Sequence, residues 1–318
     1  MENRHKKKMS IGKKILISVL SIFIVLILGA GGYAYYLYNS VEKTAETMHK
    51  PIDREKSEKR TEEVVFEKHD PISVLLMGVD ARAGDRGRSD SLIVLTVNPN
   101  DKSMKMVSIP RDTRTEIVGK GFQDKINHAY AFGGPEMAID TVENFLDIPI
   151  DYYVQVNMES FKDIVDAVGG VTVNNSFEFS SGGYTFSKGQ VYLNGAQALA
   201  YARMRYEDPR GDFGRQDRQR QIMMAVINKG ASFSSLTNFK NILGAIGKNI
   251  QTNLTFDQMV DIQKNYKEAR HSLEQSMVKG SGTKIDGIYY YIVPDSERSS
   301  LSSMLKEHLL VSETVTKK

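Results

Sequence analysis

The feature that most constrains this 318-residue chain is an uncharged run from Ile15 to Val41 whose middle, ILISVLSIFIVLILGAGG, is almost wholly apolar. With its flank it reaches the roughly 20 residues that a membrane-crossing helix needs. It also exceeds the apolar core of about 7–15 residues typical of a cleaved signal peptide, the competing reading of such a segment. Arg4, Lys6, Lys7, Lys8, Lys13 and Lys14 precede the run and assign that side to the cytoplasm, while Tyr33, Tyr35, Tyr36 and Tyr38 stand where an interfacial aromatic belt belongs. The expected layout is a cytoplasmic basic tail over residues 1–14, an uncleaved single-pass membrane helix over 15–38, and the remainder outside the cell.

Charge separates the two parts. Six basic side chains against Glu2 give residues 1–14 a net charge of +5, and the whole chain carries +3, so residues 15–318 sum to −2. The outer part therefore lacks the broad positive field of a nucleic-acid binder, and no nucleic-acid partner is expected. Cysteine is absent, which excludes disulfides, a thiolate nucleophile and Cys-based zinc sites. The stretch from Glu42 to Asp70, rich in Glu, Lys, Asp and Arg, reads as a tether or a short exposed helix rather than core, with residues 39–64 assigned as a charged linker.

One domain is expected over residues 65–312, followed by a short tail at 313–318. ISVLLMGVD (72–80), SLIVLTVN (91–98) and KMVSIP (105–110) read as strands, joined by a polar loop and by the turn NPNDKS. As an antiparallel meander they bring Asp80, Arg88, Asp90 and Arg111 to one sheet edge. Two carboxylates at one edge suit a hard cation such as Mg²⁺, which favours one or two carboxylates plus water and phosphate oxygens. The competing reading has Asp80 capping its loop and Asp90 paired with Arg88. Lys125 is a further phosphate contact, and His128 reads as a hydrogen-bonded structural residue. Helical spacing over 135–146, 159–168, 236–250, 256–269 and 299–310 alternates with strands from Asp151, Val171 and Gly287. This pattern predicts an α/β fold with a mixed central sheet flanked by helices on both faces.

Between Leu199 and Gln221 the chain gathers six arginines and no lysine. A guanidinium is a planar fork that holds phosphate bidentately, so an all-arginine cluster suggests a shaped anion. Asn194 is the expected N-cap of a helix closing at Arg203 and Arg205, and Asp212 opens the next. Arg215, Arg218 and Gln219 then share one face at that helix start, where backbone N–H groups also favour an anion. The competing reading is a solvated basic face paired to Glu207, Asp208 and Asp217.

Taken in order, LLMGVDAR, GRSDSLIVLTVNP, VSIPRDT, KINHAYAFGG, VGGVTV, LNGAQALAYARMR and DFGRQDRQRQ resemble the LytR-CpsA-Psr family of cell-envelope proteins, and most of all its teichoic-acid-attaching members. The resemblance implies a phosphotransferase that moves an anionic glycopolymer from a polyisoprenyl pyrophosphate carrier to a peptidoglycan sugar hydroxyl, in a Gram-positive-type envelope. It implies Asp80 and Asp90 as magnesium-associated carboxylates and Arg88, Arg111, Lys125, Arg203, Arg205, Arg215, Arg218 and Gln219 as pyrophosphate contacts. Among these, Arg111, Arg203 and Arg205 act in catalysis, with Asp212 orienting arginines or helping to deprotonate the acceptor. A pyrophosphatase using the same site and a non-enzymatic envelope regulator are the alternatives.

Overall fold

A computed structural model describes residues 35–36, 38–80, 87–157, 161–231, 247 and 250–311. The expected membrane helix of residues 15–38 lies outside the described residues apart from Tyr35, Tyr36 and Tyr38, as does the tail at 313–318; among the described residues no helix is long and apolar enough to cross a membrane.

Residues 38–48 form helix α1. The meander follows as β1 (Ile72–Val79), β2 (Ser89–Asn98) and β3 (Ser103–Ile109), each antiparallel to the next. The NPNDKS turn works through Asn98, whose Oδ1 accepts the N–H groups of Asn100 at 3.0 Å and Asp101 at 3.1 Å. A hairpin of β4 (Arg114–Ile117) and β5 (Phe122–Lys125) leads into α2 (His128–Leu146). That helix breaks at Gly134, whose φ of 69° and ψ of −155° suit glycine, and Pro135 starts the regular second part as its fixed φ favours. Then come β6 (Tyr152–Asn157), α3 (Phe161–Ala167), β7 (Val171–Asn175), β8 (Phe179–Ser181), β9 (Tyr184–Phe186), β10 (Gly189–Leu193), α4 (Gly195–Arg203) and α5 (Asp212–Ala231). The chain continues with β11 (Ile250–Thr252), α6 (Phe256–Asn265), β12 (Ser272–Met277), the hairpin β13 (Ser281–Ile285) and β14 (Ile288–Ile292), and α7 (Asp295–Leu309).

The central sheet has the order β11-β6-β1-β2-β3-β12, with β6 parallel to β1 and β12 parallel to β3. Strand periodicity divides its residues between two cores. Leu75, Met77, Val79, Leu92, Val94, Val107 and Ile109 pack on the side of α2 and α7. Ile72, Val74, Ile93, Leu95, Val97, Met104 and Met106 pack on the side of α5 and α6, against Met224, Met259 and Ile262. Because both faces are covered, the strands read as continuous apolar runs rather than alternating ones. A smaller core joins α3, α4 and β7 to β10 around Tyr201 and Phe186.

Two expectations change. The segment from Glu42 to Asp70 is part of the fold rather than a linker: Val41, Ala45 and Met48 are buried against Ile164, Ile250 and Phe256, and Phe66 is buried against Tyr152 and Tyr266. Its buried cation Arg60 grips Asp151 with both carboxylate oxygens, Nε to Oδ1 at 2.5 Å and Nη2 to Oδ2 at 2.7 Å, while Ser73 donates to Asp151 Oδ2 from its N–H at 2.8 Å and its hydroxyl at 2.9 Å. The late strand expected from Gly287 is present as β14, paired with β13 in a hairpin of its own, and β12 closes the central sheet. Of the helix expected over 236–250, all but Gly247 and Ile250 lie outside the described residues, and Ile250 opens β11.

Candidate active site

The register of the meander puts the end of β1, the start of β2 and the end of β3 at one edge, with Val79 opposite Ser89 and Leu92 opposite Ile109. Asp80 donates its backbone N–H to Arg88 O at 3.3 Å. Arg111, leaving β3, sits among carboxylates. Its Nη1 is 3.1 Å from Asp90 Oδ1, and its Nε is 3.7 Å from Asp112 Oδ2 and 3.8 Å from Asp212 Oδ2. Burial pulls this guanidinium down, but Asp212, Asp90 and Asp112 outweigh it and hold it above the ordinary arginine value. Asp90 thus pairs with Arg111 rather than with Arg88, which is exposed and makes no ion pair among the described residues. Lys125 on β5 joins the same group, its Nζ 2.8 Å from Asp112 Oδ1. His128 stays outside it, bonding Asp124 Oδ2 through Nδ1 at 2.7 Å as a structural histidine should.

The arginine segment approaches from the other side. Asn194 caps α4 in a capping box, its Oδ1 accepting Gln197 N–H at 2.9 Å while Gln197 Oε1 accepts Asn194 N–H at 3.0 Å. That fixed start lets α4 end at Arg203. Arg203 and Arg205 are exposed and have no carboxylate partner among the described residues. Asp212, first residue of α5, lies 2.7 Å from Arg215 Nη2 and accepts from Gln216 Nε2 at 3.1 Å. Arg215 titrates below the ordinary arginine value: burial is the main cause, and the positive charges of Arg111 and Arg205 add to it against the pull of Asp212 and Asp90. Arg111, Arg205 and Arg215 therefore share one electrostatic environment.

Arg218 departs from its expected role. Its Nη1 donates to Asp208 Oδ2 at 2.6 Å and its Nη2 to Met204 O at 2.6 Å, and its guanidinium carbon lies 5.4 Å from the centre of the Phe179 ring. It braces the loop between α4 and α5. The solvated-face reading is half right in its partners. Asp208 and Asp217 pair with Arg210, Arg218 and Arg220, whereas Glu207 accepts from Ser180 N–H and makes no ion pair with Arg203 or Arg205 among the described residues.

Buried polar atoms without partners concentrate here. Of twelve such side-chain atoms among the described residues, all but Gln155 Oε1 and Arg270 Nη1 fall in residues 89–127 and 212–219. They include Asn127 Oδ1, Gln216 Oε1, Gln219 Oε1 and Arg215 Nε; Arg111 Nε and Arg215 Nη2 also lack a hydrogen bond but stand at ion-pair distance from carboxylates, Arg215 Nη2 being 2.7 Å from Asp212 Oδ1. Buried polar atoms are normally satisfied, so a cluster of them marks a place built to receive a polar ligand. Guanidinium donors suit the oxygens of a pyrophosphate. The oxygen donors suit a hard cation: Asp90 and Asp80 stand at neighbouring strand ends, and Asn127 donates Nδ2–H to Asp90 Oδ1 at 3.4 Å with its own Oδ1 unpartnered. Among the described residues no three acidic or histidine side chains gather as a metal cage.

Sequence reasoning missed four contributors. Asp112 bridges Arg111 and Lys125, and its place beside Arg111 in the RDT segment was the available signal. Asn127 contacts Asp90, and Arg220 reaches from α5 to Ser108 Oγ at 3.0 Å, tying helix to sheet. Tyr289, an exposed residue, is raised above the ordinary phenol value by burial and then by the charges of Asp112 and Asp212. It is held near those carboxylates because Tyr291 N–H donates to Asp112 O at 2.8 Å, a long-range contact with no local signal.

The chain is similar to known proteins over nearly its whole length. The LytR_cpsA_psr family model matches residues 35–307. The chain is 57% identical over 309 residues, covering 97% of it and 99% of the relative, to a protein of Bacillus subtilis (strain 168) named polyisoprenyl-teichoic acid--peptidoglycan teichoic acid transferase TagU. The crystal structure of B. subtilis TagU superposes with a TM-score of 0.63 at 57% identity, covering 76% of this chain and 97% of that one. A structure described as LytR-CPS2A-psr family protein YwtF (TagT) with bound octaprenyl pyrophosphate lipid superposes with a TM-score of 0.67 at 30% identity, covering 83% of this chain and all of that one (100%).

Proposed function

The chain belongs to the LytR-CpsA-Psr family, and from that membership and its arginine-rich sheet edge we propose that it is a phosphotransferase joining a teichoic acid, delivered on a polyisoprenyl pyrophosphate, to peptidoglycan. The observation that carries this reading is the meeting of Arg111, held among Asp90, Asp112 and Asp212, with Arg215 at the start of α5, both guanidinium groups keeping buried nitrogens that make no hydrogen bond.

In this reading the pyrophosphate lies between the sheet edge and α5. A peptidoglycan sugar hydroxyl attacks the phosphorus attached to the polymer; the new P–O bond forms as the bond to the lipid phosphate breaks. The hydroxyl proton passes to a carboxylate of the edge, and Arg111, Arg203, Arg205 and Arg215 offset the negative charge that gathers on the leaving phosphate. Phosphoryl transfer needs positioning and charge neutralisation more than covalent chemistry, so this set suffices. Asp212 orients Arg111 and Arg215. Asp80 and Asp90 are the residues to hold Mg²⁺, which when bound supplies further neutralisation of phosphate oxygens. The apolar run at Ile15–Val41 anchors the enzyme in the membrane beside its lipid-linked donor, with the folded part outside the cell.

The test is transfer in vitro by the full-length protein, using a lipid-linked glycopolymer and peptidoglycan. A polymer–peptidoglycan phosphodiester is the expected product. Free polymer phosphate with no joined product, in the presence of acceptor, would instead make the chain a pyrophosphatase.

A further inference from the structure

A strip of alternating aromatic and polar side chains leads outward from Lys125. The Lys125 ammonium lies 5.8 Å from the centre of the Tyr290 ring, and the Tyr290 hydroxyl donates to Asp124 Oδ1 at 3.4 Å. Asp124 Oδ2 is bonded to His128 Nδ1 at 2.7 Å, and the His128 ring centre lies 6.2 Å from that of Phe132. Phe132 in turn meets Phe122 edge to face, 5.9 Å between centres and 88° between planes. The two phenylalanines are 46% (Phe122) and 39% (Phe132) exposed. Ile117, paired with Phe122 across the hairpin, is fully buried, so the core extends to this face and stops short of covering the rings.

The mixture of groups identifies the occupant. A membrane surface or an apolar partner helix would select a continuous apolar face. This strip interrupts its rings with a carboxylate, an imidazole, a phenol hydroxyl and cations, Lys120 Nζ lying 5.8 Å from the centre of the Phe132 ring and the Arg114 guanidinium carbon 5.8 Å from that of Tyr290. A pyranose has the matching character, with C–H groups that lie on a ring face and hydroxyls around its rim that donate to and accept from such groups. Position agrees. Phe122 and Lys125 are the two ends of β5, about 10 Å apart at strand spacing, and Lys125 is in contact with Asp112 of the charged edge.

We propose that the strip from Tyr290 through Asp124, His128 and Phe132 to Phe122 is the docking track for the acceptor, a sugar chain of peptidoglycan type, delivering one hydroxyl to the edge beside Asp112. This rests on the transferase reading for its choice of glycan, and binding and transfer are measured separately for that reason.

The chain contains no tryptophan, so Phe132→Trp places a single tryptophan in the strip, excited selectively over the tyrosines at the red edge of absorption. Uncross-linked glycan strands added to the full-length variant in detergent should change its emission saturably. Brominated lipids in vesicles carrying the variant should not quench it. In the double variant Phe122→Ala/Phe132→Ala, glycan affinity should fall about tenfold or more, roughly what a lost stacking contact gives, with octaprenyl pyrophosphate binding and melting temperature unchanged. Unchanged glycan affinity in a folded double variant overturns the track, and so does bromolipid quenching or silence toward glycan in Phe132→Trp. Glycan binding that depends on both rings, in a protein that never transfers polymer, sustains the track and removes the transferase reading instead.

Discussion

Arg111 Nε stands 3.8 Å from Asp212 Oδ2, and through that contact the exit of β3 meets the first residue of α5. The same guanidinium faces Asp90 and Asp112, so it is both an anion receptor and the cation that lets three carboxylates crowd one strand edge. Arg203, by contrast, is exposed and unpaired among the described residues. The two arginines should therefore fail differently.

Arg203→Ala should cut transfer by about a hundredfold or more, as expected when a donor to developing charge is removed, and leave the melting temperature unchanged. Arg111→Ala should abolish transfer and also lower stability by about 1–3 kcal/mol, because partly buried carboxylates lose their counter-charge. Paired activity and thermal-unfolding measurements check the contrast; full activity in either variant refutes the site.

Gly214 in α5 admits no side chain: a Cβ there would come within 1.7 Å of Asp208 Oδ2. Gly214→Ala should push Asp208 off Arg218, leaving a buried guanidinium without its carboxylate at a cost of about 3–5 kcal/mol. Arg218→Ala should be comparably destabilising, whereas a pyrophosphate contact would have lost activity alone. Denaturant unfolding of both variants decides between these roles.

His308 gives the fold a measurable acid response. It is buried between β2 and β3, Nδ1 against Thr96 Oγ1 at 2.7 Å and Nε2 against Ser103 Oγ at 2.9 Å. Burial, then the nearby Lys105, hold it below the ordinary histidine value, against the weaker pull of Asp101 and Glu274. A depressed folded value means the native state binds fewer protons than the unfolded one. Its contribution is complete above the unfolded value of about 6.5 and is lost as pH falls below it through the folded value. Unfolding free energies measured from pH 7 down to pH 5 should decline, and His308→Gln should flatten that decline.

If Asp80 and Asp90 hold the metal, chelation should suppress transfer and added Mg²⁺ should restore it. Asp90→Asn should raise the Mg²⁺ concentration for half-maximal rate by about tenfold, the equivalent of one lost charge-assisted contact. Activity indifferent to chelation in the wild type rules the cation out.

The sheet edge was legible in the sequence because its strands are apolar on both faces and joined by short connections. That alone brings Asp80, Asp90 and Arg111 to one end, and Asn194 announces the helix that ends at Arg203. What stayed hidden depends on partners far along the chain. Arg54 and Arg60 made residues 42–70 look like solvated linker, yet they are neutralised by Glu143 and by Asp151, about ninety residues away (89 and 91). Arg218 could not be told from its neighbours because i, i+3 spacing specifies a face and not whether Asp208 folds back onto it. Strand β12, SLEQSM, carries only a weak pattern as a sheet edge, and its parallel pairing with β3 has no local signature.

Helix α1 sets where the domain begins. Tyr38, at its start, already packs its ring against Phe256 at 5.3 Å, and Val41, Ala45 and Met48 lock the following turns onto the domain. The packed part of the fold therefore begins at Tyr38, inside the uncharged run itself, and residues 39–64 give the domain a buried first layer where a charged leash was expected.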